Sequence, residues 1–127
     1  MSERAIPSPP MTPEAEPFYQ AAAQGRFLTR KCTSCARLHW YPRAICPFCW
    51  GPTDWQEVAG AGIVYSYSVM RRSDPPFAIA YVTLDAGPTM MTSLVECDFD
   101  ALRIGQKVRL VFKIAEGGTP VPCFTPA

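Results

Sequence analysis

The chain is poor in the groups that do chemistry at neutral pH. It has one histidine, His39, in 127 residues, so a pair of imidazoles acting as acid and base is excluded, and any such pair would need carboxylates in unusual surroundings. No Gly-x-Ser-x-Gly, no glycine-rich phosphate loop and no pair of histidines at metal-ligand spacing occurs, which removes the commoner nucleophilic, nucleotide and hydrolytic-metal motifs. Long apolar runs are missing as well. The longest, Phe77-Ala-Ile-Ala-Tyr-Val, is far too short to cross a bilayer, and the start, Met1-Ser-Glu-Arg-Ala-Ile-Pro, has no apolar leader core. No membrane contact and a cytoplasmic location are the expectation.

Charge of either sign is also scarce. Twelve Lys and Arg stand against eleven Asp and Glu, for a net charge of +1, and a protein that coats nucleic acid or an anionic membrane needs a clear basic excess. One local absence stands out: between Phe18 and Thr53 there is no acidic residue, while Arg26, Arg30, Lys31, Arg37 and Arg43 all lie there. Two readings are open. The cations receive phosphates, of a nucleotide-bearing cofactor or of nucleic acid, or they offset the two formal negative charges of a four-thiolate metal centre.

Such a centre is what the cysteines describe. Cys32-Thr-Ser-Cys35 and Cys46-Pro-Phe-Cys49 are two C-x2-C pairs with ten residues between them. Each pair folds into a tight knuckle, and the short spacer brings the knuckles face to face around one tetrahedral ion. Two disulfides are the bland alternative. Iron suits four thiolates too, as a rubredoxin-like centre, and spacing does not separate it from zinc, which is preferred for its frequency at such sites. Cys97 and Cys123 stand apart in apolar or strand-like surroundings, where a buried thiol is the common fate; a reducing compartment fits all six cysteines.

The chain is long enough for one domain, or for two small units sharing a core, and 48% of it is apolar. Residues 1–25 are expected to form an extended arm and a short helix. Pro7, Pro9, Pro10 and Pro13 forbid regular structure at the start, while Pro17 and Gly25 bracket a helix with Phe18, Tyr19 and Ala22 as its apolar stripe. Two or three turns are not stable alone, so the stripe must dock on this domain or on a partner, and in a domain this small a partner is expected to cover it. Residues 26–55 read as a zinc ribbon whose Trp40, Phe48, Trp50 and Trp55 supply the aromatic packing a metal-centred hairpin needs in place of a large core. His39, between the knuckles, reads as a surface residue or one lying just outside the metal ligands; a proton shuttle or substitute ligand is the sharper alternative.

Residues 56–127 change to short β-runs. Ile63, Tyr65, Tyr67 and Val69 alternate as one half-buried face, with Gly60 and Gly62 marking a bulge or sharp coil near the start. Further strands are expected at Phe77 to Leu84, Met90 to Val95, Lys107 to Ile114 and Val121 to Phe124, with a helical turn at Asp98 to Leu102. Five such strands make a small Greek-key barrel of the OB type. The fold class is therefore mainly β: a short N-terminal helix, a zinc ribbon, then a five-stranded OB-fold barrel.

From Phe18 onward the chain resembles the zinc-ribbon plus OB-fold proteins called domain of unknown function 35. The likeness rests on Gly25-Arg-Phe-Leu, the two cysteine pairs, Tyr41-Pro-Arg43, Trp55, Gly60-Ala-Gly62-Ile-Val-Tyr-Ser and Ile104-Gly-Gln-Lys-Val-Arg-Leu-Val-Phe112. Tyr41-Pro42 stands where the family has two prolines, and Ala86-Gly87 where it often has an acidic residue before glycine; neither touches the cysteines. The resemblance implies an accessory subunit beside a thiolase-superfamily enzyme, a thiolase or a lipid-transfer-type aldolase of steroid side-chain breakdown, or beside a hot-dog-fold hydratase, where it helps form or gate the acyl-CoA channel.

A closed four-cysteine site leaves no coordination position for Lewis-acid work, so catalysis by the isolated chain is not expected. A single-stranded nucleic-acid module is the alternative, because zinc ribbons and OB barrels both bind strands; against it, acidic residues outnumber basic ones from Asp54 onward. An iron electron carrier is a third class. Arg43, with Arg71 and Arg72 in the loop Met70 to Phe77, are the expected contacts to an anionic group, either a CoA phosphate or acidic partner side chains, an ordinary solvated turn being the bland reading of that loop.

Overall fold

Helix α1 (Glu16–Ala22) is entered from a turn at Thr12, whose carbonyl accepts from the N–H groups of Ala15 and Glu16 at 3.0 Å each. Pro17 sits in its first turn and Gly25, at φ 76°, follows its end. The computed structural model describes residues 4–127. Phe18, Ala21 and Ala22 are buried, and the Phe18 ring meets Phe27 and Trp40 edge-on at centroid distances of 6.2 and 5.6 Å. This corrects the expectation that a partner covers the stripe. The helix packs on the strands Leu28–Cys32 and Pro120–Pro126 of its own chain, because the aromatics that flank the ribbon's strands form a seat for it.

The ribbon is a three-stranded antiparallel sheet in the order β2-β1-β3, with β1 at Leu28–Cys32, β2 at Leu38–His39 and β3 at Thr53–Glu57. Its root, Phe27 and Leu28, belongs to the main hydrophobic core, and Trp40 and Trp55 pack against that core. Its tip does not. Phe48 and Trp50, expected among the packed aromatics, are 53% and 83% exposed, since the second knuckle turns its side chains away from the sheet.

Strands β4 (Ala61–Met70), β5 (Phe77–Leu84), β6 (Thr89–Leu94), β7 (Lys107–Ile114) and β8 (Pro120–Pro126) close a barrel in the order β4-β5-β6-β8-β7. A 3-10 turn at Phe99–Ala101 joins β6 to β7, with the Asp98 carboxylate accepting from the Asp100 N–H at 3.0 Å. All five strands lie where the alternating pattern places them, but the expected face of β4 is split. Val64 pairs with Val82 and Ser66 with Tyr81, so Tyr65 is a bulge. Before it Gly62 and Val64 point inward and Ile63 outward; after it Tyr67 and Val69 lie opposite the buried Ala80 and Ala78. Gly60 and Gly62 precede that bulge, and Gly62 has a packing reason of its own: a Cβ there would come within 2.5 Å of the Thr83 carbonyl oxygen.

One core runs through both halves. Phe18, Phe27 and Leu28 are in the same cluster as Val64, Val82, Met90, Leu94 and Phe124 of the barrel, and Phe27 meets Phe112 at 6.4 Å. No charged residue occurs in β4, β5 or β6. Among the described residues, no helix is long and apolar enough to cross a membrane.

Candidate metal centre and the surfaces around it

The two knuckles repeat one hydrogen-bond pattern. In the first, Ala36 N–H donates to the Cys32 carbonyl at 3.0 Å and Cys32 N–H to the Arg37 carbonyl at 2.9 Å; in the second, Trp50 donates to Cys46 and Cys46 to Gly51, both at 2.9 Å. The residue after each second cysteine takes a left-handed conformation, φ 64° at Ala36 and 68° at Trp50. The knuckles are clamped together by Thr33, whose N–H and hydroxyl both donate to the Pro52 carbonyl, at 2.9 and 3.1 Å. They are close enough that a Cβ on Gly51 would lie 2.9 Å from Ser34 Oγ and 3.2 Å from Cys32 Sγ.

This packing brings four sulfurs to one point. Cys32 Sγ and Cys49 Sγ are 3.4 Å apart, Cys35 Sγ and Cys46 Sγ 3.7 Å, and all four lie within 4.8 Å of one another. A tetrahedron with metal–sulfur bonds of about 2.3 Å has edges of about 3.8 Å, so the donor set fits a single ion. Disulfides, with S–S near 2.05 Å, are not what the geometry forms. Backbone N–H groups point at the sulfurs: Ser34 and Cys35 donate to Cys32 Sγ, and Phe48 to Cys46 Sγ, each at 3.3 Å.

These dipoles favour thiolates. The Cys35 N–H, aided by the Ser34 N–H and the neighbouring thiols, pulls Cys32 down to about 6. For Cys46, burial pushes upward but is outweighed by the N–H groups of Cys49 and Phe48 and by Cys35, so the thiol is lowered. Cys49 is pushed up to about 11: the Gly51 N–H draws it down, but sharing the site with Cys32, Cys35 and Cys46 prevails. An ion removes that penalty, since it neutralises the charge the last thiol would add.

Of the two places expected for His39, the surface is excluded, since it is 2% exposed. Its Nε2 accepts from the Arg43 N–H at 3.1 Å, so in the neutral ring Nδ1 carries the hydrogen, and Nδ1 is buried with no partner among the described residues. Burial holds its pKa below the ordinary value, helped by the charges of Arg43 and Arg30. His39 is a post for the turn at Tyr41 to Arg43 and does not join the metal-binding group, which among the described residues is the four cysteines.

The cations divide. Arg26 pairs with Glu57 at 2.8 Å, and Lys31 lies opposite Asp54 across β1 and β3. Arg30 stacks over Trp55 at 4.6 Å and Arg37 over Phe48 at 4.9 Å. Arg43 is exposed, and its backbone is fixed by His39 and by the Thr53 hydroxyl, which donates to its carbonyl at 2.6 Å. Arg71 Nη1 is 2.8 Å from Asp100 Oδ1, an exposed pair, and Arg72 is exposed. Arg43 thus sits on the ribbon and the Arg71–Arg72 pair on the loop between β4 and β5.

Sequence reasoning missed two surfaces. One is the apolar tip of Ile45, Phe48 and Trp50, whose exposure no composition signals. The other is a cavity of about 480 Å³ between the ends of β5, β6 and β7, closed on one side by Arg4, Ala5 and Ile6. The arm is tied there by Glu116 N–H to the Ile6 carbonyl at 3.0 Å and Gly117 N–H to Ser8 Oγ at 2.8 Å, and Arg4 lies over the Phe77 ring at 3.7 Å. Cys97 lines the cavity and Cys123 is buried.

Comparison with known proteins gives the same two parts in the same order. Residues 20–55 match the ChsH2 rubredoxin-like zinc ribbon domain and residues 55–113 the ChsH2 C-terminal OB-fold domain. A Thermomonospora curvata protein described as a probable enoyl-CoA hydratase alpha subunit is 34% identical over 128 residues, and the match spans 95% of this chain but 40% of that protein. A DUF35 domain-containing scaffold protein of Methanothermobacter thermautotrophicus is 33% identical over 97 residues, covering 69% of this chain and 73% of the relative. Among solved structures, a chain of an Ltp2-ChsH2(DUF35) aldolase superposes with a TM-score of 0.80 at 31% identity, covering 94% of this chain and 98% of that one. By fold, cysteine centre and sequence, the chain belongs to the DUF35 family, in its form of a zinc ribbon followed by an OB-fold.

Proposed function

We propose that this chain is an accessory subunit that binds a thiolase-fold enzyme acting on an acyl-CoA and shapes the edge of that enzyme's substrate site, leaving bond-making and bond-breaking to its partner. The observation that carries the reading is the superposition, at 31% identity, on nearly the whole of a DUF35 chain from a structure named as an aldolase. The four-sulfur centre supports it from a second side: a closed thiolate site built into a small ribbon is a structural device, and we assign it one zinc held by Cys32, Cys35, Cys46 and Cys49. A bulky acyl-CoA, such as a steroid side-chain intermediate, is the substrate class, and Arg43, Arg71 and Arg72 are candidate contacts to an anionic group, either a CoA phosphate or acidic side chains of the partner. Bound zinc ties the two knuckles into one unit and supplies no chemistry to substrate.

A hydratase partner is the second reading, favoured by the relative described as an enoyl-CoA hydratase alpha subunit, of which this chain corresponds to 40%. Co-expression with a thiolase-like subunit, and separately with a hot-dog-fold hydratase subunit, followed by sizing and elemental analysis, tests both. A stable assembly with the thiolase-like protein carrying one zinc per chain is the expected result. Assembly with the hydratase alone would move the function to the second reading, and a red, iron-bearing chain with no partner would end both.

A further inference from the structure

The second knuckle spends its most costly residue where the ribbon gains nothing from it. Trp50 takes a left-handed conformation that side chains other than glycine's rarely adopt, and its indole is 83% exposed. The first knuckle shows what the fold itself requires at the equivalent position: Ala36, at φ 64°, with no side chain beyond Cβ. Trp40 and Trp55, by contrast, pack against the core. The same knuckle carries two more exposed apolar side chains, Ile45 at 57% and Phe48 at 53%. Phe48 is steadied by the Arg37 guanidinium over its ring, which lowers the entropy lost when such a side chain is immobilised in a contact.

Charge says what kind of surface faces this tip. Arg30, Arg37 and Arg43 belong to the ribbon, and among the described residues none of them is in an ion pair, whereas Arg26 and Lys31 have Glu57 and Asp54 beside them. The nearby acid, Glu14, spends its carboxylate on the Ala44 N–H at 2.9 Å. An aromatic tip bordered by unpaired arginines complements an apolar socket edged with carboxylates.

We infer that Ile45, Phe48 and Trp50 form the docking tip of this chain, seated in an apolar, acid-rimmed socket on the partner enzyme subunit, with Trp50 as its anchor. The inference rests on the accessory-subunit reading above and adds the surface by which it assembles. Large, rigid aromatics at the centre of a contact carry a disproportionate share of binding energy. Arginines at the rim act mainly on the rate of encounter and on its salt dependence.

Trp50→Ala in the full zinc-loaded chain is the test, because Ala36 shows that the knuckle accepts alanine at this conformation. Binding to the co-expressed thiolase-like subunit is expected to weaken about 30-fold or more, with zinc content and melting temperature unchanged. In the wild-type complex, Trp fluorescence should shift to the blue as the indole leaves water, and the shift should be absent in the variant. Arg37→Gln with Arg43→Gln should slow association and flatten its salt dependence while zinc is retained. Unchanged affinity in Trp50→Ala would overturn the inference while leaving the accessory-subunit reading intact. Loss of zinc in the arginine variant with association unaltered would overturn the rim assignment, returning those cations to the thiolate centre. Loss of a Trp50-dependent self-association, or of binding to an oligothymidine probe, would overturn the choice of occupant. A wild-type chain that binds no thiolase-like subunit would remove the parent reading and this one together.

Discussion

The tip of the ribbon and the barrel solve the same problem by opposite means. The barrel buries its inward residues, Val64, Val82, Met90, Leu94, Val108 and Phe124, and closes its sheet so that no edge is left. The tip, made of the two knuckles at residues 32–37 and 45–52, buries the sulfurs of Cys32 and Cys46 and little else, and shows Ile45, Phe48 and Trp50 to solvent. A fold held by a core must turn its large apolar groups inward, whereas one held by a metal is free to turn them out. Between the two lies the seam of Phe18, Phe27, Trp40 and Phe112, which belongs to both.

The largest effect should come from the metal. Cys46→Ala leaves three thiolates around an open site and forfeits much of a binding free energy of about 10–16 kcal/mol for structural zinc. We expect metal loss and the collapse of hydrogen-exchange protection in the two knuckles, with β4 to β8 still protected. This sharpens the simpler expectation that the whole ribbon unfolds, because Phe27, Leu28 and Trp55 are packed on the barrel side. If the barrel melted with the tip, the contrast between the two regions would be lost.

Next comes the seam. Phe18→Ala should cost about 3–5 kcal/mol, read as one cooperative loss by chemical denaturation at both ribbon and barrel probes. Two separate transitions, with the barrel unchanged, would show that the halves do not share a core.

The buried histidine gives a smaller, pH-dependent effect. The His39 pKa is depressed in the folded chain, so the unfolded chain binds the extra proton first as pH falls. Stability is full above the ordinary value of about 6.5 and is lost as pH falls from there through the folded value. His39→Leu should remove this dependence and cost about 1–3 kcal/mol at neutral pH, since the Arg43 N–H loses its acceptor. Melting curves across that range, with zinc content followed in parallel, separate it from metal release. An unaltered pH profile in the variant would assign the acid sensitivity to the thiolates alone.

Smallest of all is the exposed Arg71–Asp100 pair. Asp100→Asn should change stability by less than about 1 kcal/mol, and any gain in acyl-CoA or partner binding would mark Arg71 as an anion contact that Asp100 holds back. No change in binding would leave that loop a solvated turn.

Much of this was legible in the residues. The C-x2-C spacing placed the metal centre because two short knuckles leave the chain few other ways to meet, and the period-2 runs placed all five barrel strands. What escaped did so for physical reasons. The alternation Ile63, Tyr65, Tyr67, Val69 runs unbroken through a bulge at Tyr65, and a bulge is a matter of pairing with β5, which the strand's own residues do not display. Trp40, Trp55, Phe48 and Trp50 are equally aromatic, and only the direction of the knuckle separates the packed pair from the exposed one. His39 reads equally as a surface residue or as a neighbour of the metal ligands until the turn that it supports is seen around it. The helix stripe seemed to need a partner because its seat, Phe27 and Trp40, is distant in sequence but adjacent in space.

We propose that the chain completes another enzyme's acyl-CoA site. The most direct test is reconstitution: the separately purified thiolase-like subunit is titrated with this zinc-loaded chain, and acyl-CoA cleavage is followed. Little activity is expected in either protein alone, with a rise that saturates at one chain per partner subunit. Full activity of the partner without this chain, or turnover of the acyl-CoA by this chain by itself, would contradict it.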